Sequence, residues 1–182
     1  MCPGYDTFLA DKLVISGSVW CEPIESNTAC ILHTRHSVHR GTPVATEVVP
    51  GWWIGGRYGD KLKKKWAVTI DLTCEFPEAC REVTGEYLLL PCWDGVPPTP
   101  AQIEQAAQLA AEGYQRGDVM VHCAHGRGRS TCVMVACLVQ AGLFASWESA
   151  FAACKQKRKC IGLNKKMRAA LTEWQDAYVT AQ

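Results

Sequence analysis

The chain has 182 residues, 48% of them hydrophobic, with 19 basic against 18 acidic side chains. That is enough for one domain with a sizeable core and too short to favour two. A net charge of +1 excludes a global attraction for polyanions, so nucleic acid is not an expected partner and any affinity for phosphate must be local. No apolar run approaches the ~20 residues of a bilayer span, so no transmembrane segment is expected, and Met1 to Asp6 lacks the basic and apolar regions of a secretion signal. The eleven cysteines are odd in number, and several sit singly in apolar runs (Cys132, Cys137, Cys154), as reduced core thiols do. A soluble, cytoplasmic protein is expected.

Residues 1–46 read as an N-terminal extension expected to lie against the domain. Its apolar runs, Leu13-Val14-Ile15 and Ala29-Cys30-Ile31-Leu32, suggest two short strands or an irregular apron. Cys30, His33, His36 and His39 recur every third residue, but that spacing fans side chains around a helix rather than converging them. Exposed loop residues are the expectation there, and no metal site. The main domain is expected over 47–182, opening with Val48-Val49, a Pro50-Gly51 turn and Trp52-Trp53-Ile54. Arg57 to Lys65 is polar and reads as a short helix whose lysines (Lys61, Lys63, Lys64, Lys65) form a solvated face rather than a lipid-headgroup patch.

Trp66 to Leu72 is rich in β-branched residues and predicts a buried strand, with Thr73-Cys74-Glu75 leaving its carboxyl end. Tyr87 to Leu90 predicts another, followed by the stiff loop Pro91-Cys92-Trp93-Asp94-Gly95-Val96-Pro97-Pro98. Thr99, Pro100 and Gln102 spell a capping box with proline at the first helical position, opening a helix to Gly113. Asp118 to His122 is a strand, and Ser130 to Ala141 a helix apolar almost all round and therefore central. Ser146 caps the next helix, whose basic end (Lys155, Lys157, Arg158, Lys159) complements the dipole. Asn164 precedes a last helix with Met167, Leu171, Trp174 and Tyr178 on one stripe, a core face. Strands alternating with helices predict an α/β fold with a central mixed, mostly parallel sheet covered by helices on both faces.

The stretch that carries chemistry is Val121-His122-Cys123-Ala124-His125-Gly126-Arg127-Gly128-Arg129-Ser130. Cys123 and Arg129 bracket five residues, so a loop wrapped around a tetrahedral anion turns the backbone N–H groups of Ala124, His125, Gly126, Arg127 and Gly128 inward while the Arg129 fork grips two oxygens. The helix that starts near Arg129 aims its dipole at the same point and favours both a bound phosphate and an ionised sulfur. Two glycines and two arginines directly after Cys123 suit no packed core.

These residues, His-Cys-x5-Arg-Ser between a strand and a helix, resemble the cysteine-dependent protein tyrosine phosphatase superfamily in its small dual-specificity branch, over about residues 47 to 175. The resemblance implies the protein tyrosine phosphatase fold and no cofactor. It also implies that Cys123 attacks phosphorus to give a phosphocysteine, that Arg129 binds the phosphoryl oxygens, that Ser130 stabilises the departing thiolate and that His122 supports the loop. Rhodaneses and arsenate reductases also hold an oxyanion over a cysteine, but the whole pattern favours phosphoryl transfer.

Such a route needs a carboxyl group as acid and then base. Asp94 is the candidate: it lies 29 positions before Cys123 in a loop leaving a strand, and Trp-Asp-Gly-x-Pro-Pro is similar to the acid loop of phosphatases related to the regenerating-liver and cell-cycle groups. Asp71 and Glu75 are the weaker alternatives. An enzyme is expected rather than a silent phosphate-binding relative, with a phosphorylated protein as substrate and a phosphorylated lipid headgroup as the alternative, since a basic residue at Arg127 also occurs in lipid phosphatases. Cys74 leaves a strand expected to adjoin that of Cys123 and resembles the resolving cysteine of regenerating-liver and phosphoinositide phosphatases. It is the candidate redox partner, and Cys92 the alternative.

Overall fold

The computed structural model describes residues 43–180; the readings made for the extension up to His39 lie outside them. Where the description begins, Val48-Val49-Pro50-Gly51-Trp52 folds as a hairpin. Strands β1 (Ala45–Val49) and β2 (Trp52–Gly55) pair antiparallel, and Gly51 takes φ +78° at the turn, a left-handed conformation open to glycine without a Cβ penalty.

Three further strands, β3 (Trp66–Thr73), β4 (Thr84–Cys92) and β5 (Val119–His122), complete a five-stranded sheet in the order β1-β2-β5-β3-β4. All pairings except that of the hairpin are parallel, so the carboxyl ends of β2, β5, β3 and β4 lie at one edge. β4 begins earlier than its apolar run and includes Gly85. A Cβ there would stand 3.0 Å from the Ala67 carbonyl oxygen of the neighbouring strand, so the glycine serves a close approach inside the sheet.

The two faces separate by the period of two along β5. Val119 and Val121 join Trp52, Ile54, Val68, Ile70 and Leu72 in the main core, while Met120 joins Ala45, Trp66 and Cys80 in a smaller cluster. Four helices cover the main core: α1 (Pro100–Tyr114), α2 (Arg129–Gln140), α3 (Trp147–Lys157) and α4 (Lys165–Tyr178). The Met120 side carries two 3₁₀ turns, Gly59–Leu62 and Arg81–Val83. Helical segments therefore lie on both faces of a mixed, mostly parallel sheet.

The caps follow the sequence. Thr99 and Gln102 form the capping box of α1, with Pro100 in its first turn, and Ser146 pairs with Ser149 at the start of α3. Asn164 accepts from the Met167 amide at the start of α4. In α2 every residue from Arg129 to Val139 is buried, as an all-round apolar helix requires. Of the lysine run, Lys64 pairs with Asp118 at 2.6 Å and lies over Trp53 and Trp66, and Lys61 lies over Tyr58. Among the described residues no helix is long and apolar enough to cross a membrane.

Candidate active site

β5 ends in the sheet's interior, flanked by β2 and β3, and hands the chain to a six-residue turn, 123–128, before α2 begins. Cys123 is 2% exposed, with its amide bonded to the Gly55 carbonyl. Its Sγ lies 3.4 Å from the Ser130 hydroxyl, in the first turn of α2. Gly126 has φ +65°, and a Cβ on it would meet the Gly55 carbonyl at 2.6 Å, so the turn needs glycine there for both conformation and space. His125 is exposed. Arg127 is half-buried, with Nε shut from solvent and no hydrogen-bond partner among the described residues.

Arg129 is 1% exposed and is held end-on. Its Nη1 donates to the carbonyls of Cys92 (2.7 Å) and Leu72 (3.2 Å) and to Glu75 Oε2 (3.0 Å), and Nη2 donates to Glu75 Oε1 at 2.6 Å. The other edge of the guanidinium is less committed: Nε has no partner among the described residues, and Nη2 faces Asp94 Oδ1 at 3.4 Å. Nε is thus the guanidinium donor that neither Glu75 nor the backbone carbonyls take up.

Glu75 thereby acquires a part that its place in the sequence did not suggest. Burial alone would raise its carboxyl, but the hydrogen bonds and charge of Arg129 more than offset this and hold it below the ordinary range. A carboxylate held by two hydrogen bonds from Arg129 is a poor proton donor, which favours Asp94 over Glu75 as the acid. Asp71 is disfavoured differently. It is fully buried in β3, where Oδ1 accepts from the Thr73 amide and hydroxyl and Oδ2 accepts from Tyr87.

His122 lies beneath the turn at 0% exposure, its Nδ1 3.6 Å from Asp71 Oδ1. That is too long for a hydrogen bond. Burial pushes its pKa below the ordinary histidine value despite the opposing pull of Asp71 and of the backbone at Ala79 and Cys123, which favours the neutral ring.

Asp94 is on the loop after β4, its side chain 82% exposed. The loop is tethered by Asn164, whose amide nitrogen donates to the Gly95 carbonyl at 2.8 Å while its oxygen caps α4. Cys74 is exposed at the end of β3, the strand adjacent to β5, whereas Cys92 is buried one strand further away. The structure thus brings Cys123, Ser130, Arg129 and Asp94 together, with His122 below and Cys74 at the rim. The hold of Glu75 on Arg129 and the second role of Asn164 escaped sequence reasoning because both depend on contacts across 54 and 69 residues. Among the described residues no group of three or more His, Cys, Asp or Glu is set to hold a metal ion.

A strand, a tight turn and a helix that bring a cysteine and an arginine to the carboxyl edge of a mostly parallel sheet are the arrangement of the cysteine-dependent protein tyrosine phosphatase superfamily. Residues 65–177 match the family model of the dual specificity phosphatase catalytic domain, and the chain belongs to that family. It is 46% identical over 50 residues to the "Probable rhodanese domain-containing dual specificity protein phosphatase" of Dictyostelium discoideum, a match spanning 28% of this chain and 10% of that protein. Its fold is similar to that of a "mouse putative dual specificity phosphatase complexed with zinc tungstate", with TM-score 0.68, 19% identity, and 78% of this chain and 92% of that chain covered. It is similar also to PTPMT1 in complex with PI(5)P, with TM-score 0.61, 22% identity, and 76% and 98% covered.

Proposed function

We propose that the chain is a phosphomonoester hydrolase working through a phosphocysteine, with proteins phosphorylated on tyrosine and on serine or threonine as substrates. The observation that carries this reading is the meeting of Cys123 Sγ, the Ser130 hydroxyl, the uncommitted Nε of Arg129 and the Asp94 carboxyl group around one turn. Cys123, as thiolate, attacks phosphorus while the bond to the leaving oxygen breaks and protonated Asp94 gives that oxygen its proton. Asp94, now a carboxylate, then takes a proton from water as the water attacks the phosphocysteine. The sulfur leaves as thiolate with the Ser130 hydroxyl donating to it, and inorganic phosphate departs. No metal or cofactor enters the scheme.

Family membership supports phosphatase chemistry, and the match to the dual specificity catalytic domain supports substrates phosphorylated on tyrosine and on serine or threonine. A second reading, a phosphoinositide phosphatase, is favoured by the half-buried Arg127 with its unpartnered Nε and by the likeness to PTPMT1, whose structure holds PI(5)P. A panel of para-nitrophenyl phosphate, phosphopeptides and soluble phosphoinositides, assayed for released phosphate with the parent and with Cys123→Ser, tests all of this. Turnover on phosphopeptides, abolished in the serine variant, is expected. Binding without turnover in the parent overturns the enzyme, and turnover confined to phosphoinositides, with Arg127→Ala weakening it several-fold, overturns the protein substrate.

A further inference from the structure

The end of α3 reads in sequence as a basic tail complementing the helix dipole, yet Arg158, its capping residue, is 3% exposed. It leaves the helix in an extended conformation, φ −122° and ψ 90°, which turns the side chain inward. Nε donates to the Gly126 carbonyl at 2.8 Å and Nη2 to the His125 carbonyl at 3.4 Å. Nη1 donates to the Pro43 carbonyl at 3.0 Å and to the Thr46 hydroxyl at 2.8 Å. None of these acceptors is a carboxylate. A cation kept out of water without an acidic hydrogen-bond partner is costly, and burial correspondingly draws its pKa below the ordinary arginine value.

The carbonyls of the turn explain what that cost supports. Ala124 O accepts from the Arg57 amide at 3.3 Å, and Arg127 O accepts from the Thr131 hydroxyl at 2.7 Å and the Gly162 amide at 3.2 Å. With the two carbonyls taken by Arg158, four consecutive carbonyl oxygens, 124 to 127, are drawn to donors outside the turn. In a planar trans peptide the carbonyl and the following N–H point in opposite directions. Drawing those oxygens outward turns the N–H groups of His125, Gly126, Arg127 and Gly128 towards the inside of the turn, where a bound oxyanion sits.

We propose that Arg158 is a positioning residue for anion binding: by gripping the His125 and Gly126 carbonyls from behind, it aims the Gly126 and Arg127 amides at the phosphoryl group. This rests on the phosphate-binding reading of the turn. It assigns to the α3 terminus, 35 residues beyond Cys123, a part in shaping a cradle it does not touch from inside.

The test uses the whole chain and inorganic phosphate as probe, measured by direct titration and as a competitive inhibitor of para-nitrophenyl phosphate turnover. Arg158→Gln loses the fork and the charge, and phosphate should bind about tenfold more weakly or worse, the scale set by a charged hydrogen-bond donor. Arg158→Lys keeps the charge with one-point contact and should fall between the two. Leu171→Ala, a core substitution in α4 chosen to lower thermal stability, should leave phosphate affinity at the parent value, which separates positioning from general loosening. If Arg158→Gln does not fold, the lysine variant decides. A folded Arg158 variant binding phosphate as the parent does, or Leu171→Ala weakening it equally, overturns the proposal. A parent that binds phosphate without hydrolysing any ester overturns the enzyme reading while the affinity series still decides Arg158; a parent that binds no phosphate overturns both.

Discussion

The Asp94 carboxyl group is 3.4 Å from Arg129 Nη2 with its side chain 82% exposed, within reach of a leaving oxygen on a phosphoryl group held by the same arginine. Asp94→Ala should therefore lower turnover by roughly 10²–10⁴ for alkyl or peptide phosphates that need a proton on departure. For a fluorinated phenyl phosphate, whose leaving group needs none, the loss should shrink towards unity. Steady-state rates across a series of leaving groups read this directly, and equal losses along the series would remove Asp94 from the acid role. Glu75 gives a different signal. Its carboxyl is held below the ordinary range by Arg129, so the native state stays ionised where the unfolded chain takes up a proton. Its contribution to stability is full above the unfolded value of about 4.3 and is lost as pH falls through the lower native value. Glu75→Gln should flatten the dependence of the urea midpoint on pH in that acid window, while turnover at neutral pH falls because the Arg129 fork loses its bidentate anchor.

At the level of elements, β3 delivers Cys74 beside the turn, since Asp71 is aligned with His122 in the parallel β3–β5 pairing. Burial and the Glu75 carboxylate, which accepts from both the Cys74 amide and thiol, push that thiol above the ordinary value. Cys92 is pushed up to about 11 by burial and sits a strand further off. If Cys123 is oxidised to a sulfenic acid, the exposed Cys74 at the end of the adjacent strand is the candidate thiol to displace hydroxide from it and form a disulfide. Peroxide should then inactivate reversibly, with peptide mapping showing a Cys74 to Cys123 bridge and dithiothreitol restoring activity. Cys74→Ser should make the loss permanent, and full recovery in that variant would exclude Cys74. Glu75→Gln, which removes the neighbouring anion, should speed closure of the bridge.

The elements themselves were largely legible. Thr99, Ser146 and Asn164 announced three helix starts because a cap is a local device read from neighbouring residues. The Cys123 to Ser130 turn was legible for the same reason, since strand, glycines and helix adjoin. What escaped depends on encounters across the fold: Glu75 with Arg129, Asn164 with Gly95, Arg158 with the back of the turn. Each of those side chains has an ordinary local reading, as loop acid, cap or basic helix end, and only the packed sheet brings in its partner.

On the scale of the whole molecule, His122 links the site to the acid stability of the domain. It is fully buried, and burial lowers its pKa, so below the unfolded value of about 6.5 the unfolded chain binds a proton that the native state resists. Stability should be full above that pH and should decline as pH drops below it, before the carboxylates begin to titrate. His122→Gln should remove this first slope between about pH 6.5 and 5 in chemical denaturation. A parent and variant with parallel curves over that range would show that His122 is not its source. The direction is opposite to that of a histidine gaining an acidic partner on folding, because desolvation here outweighs Asp71.

The sheet order has a further consequence, for synthesis. β5 is inserted between β2 and β3 although it follows both in sequence. A growing chain that has reached residue 118 therefore holds two strands whose inner edges, those of Trp52–Gly55 and Trp66–Thr73, await the same partner. Unpaired edges with apolar faces template pairing between chains. The ribosome must thus release the segment bearing the nucleophile before either edge can close. Nascent chains arrested just short of Val119 should be the species that chaperones retain, and those extended past α2 the first that can bury both edges.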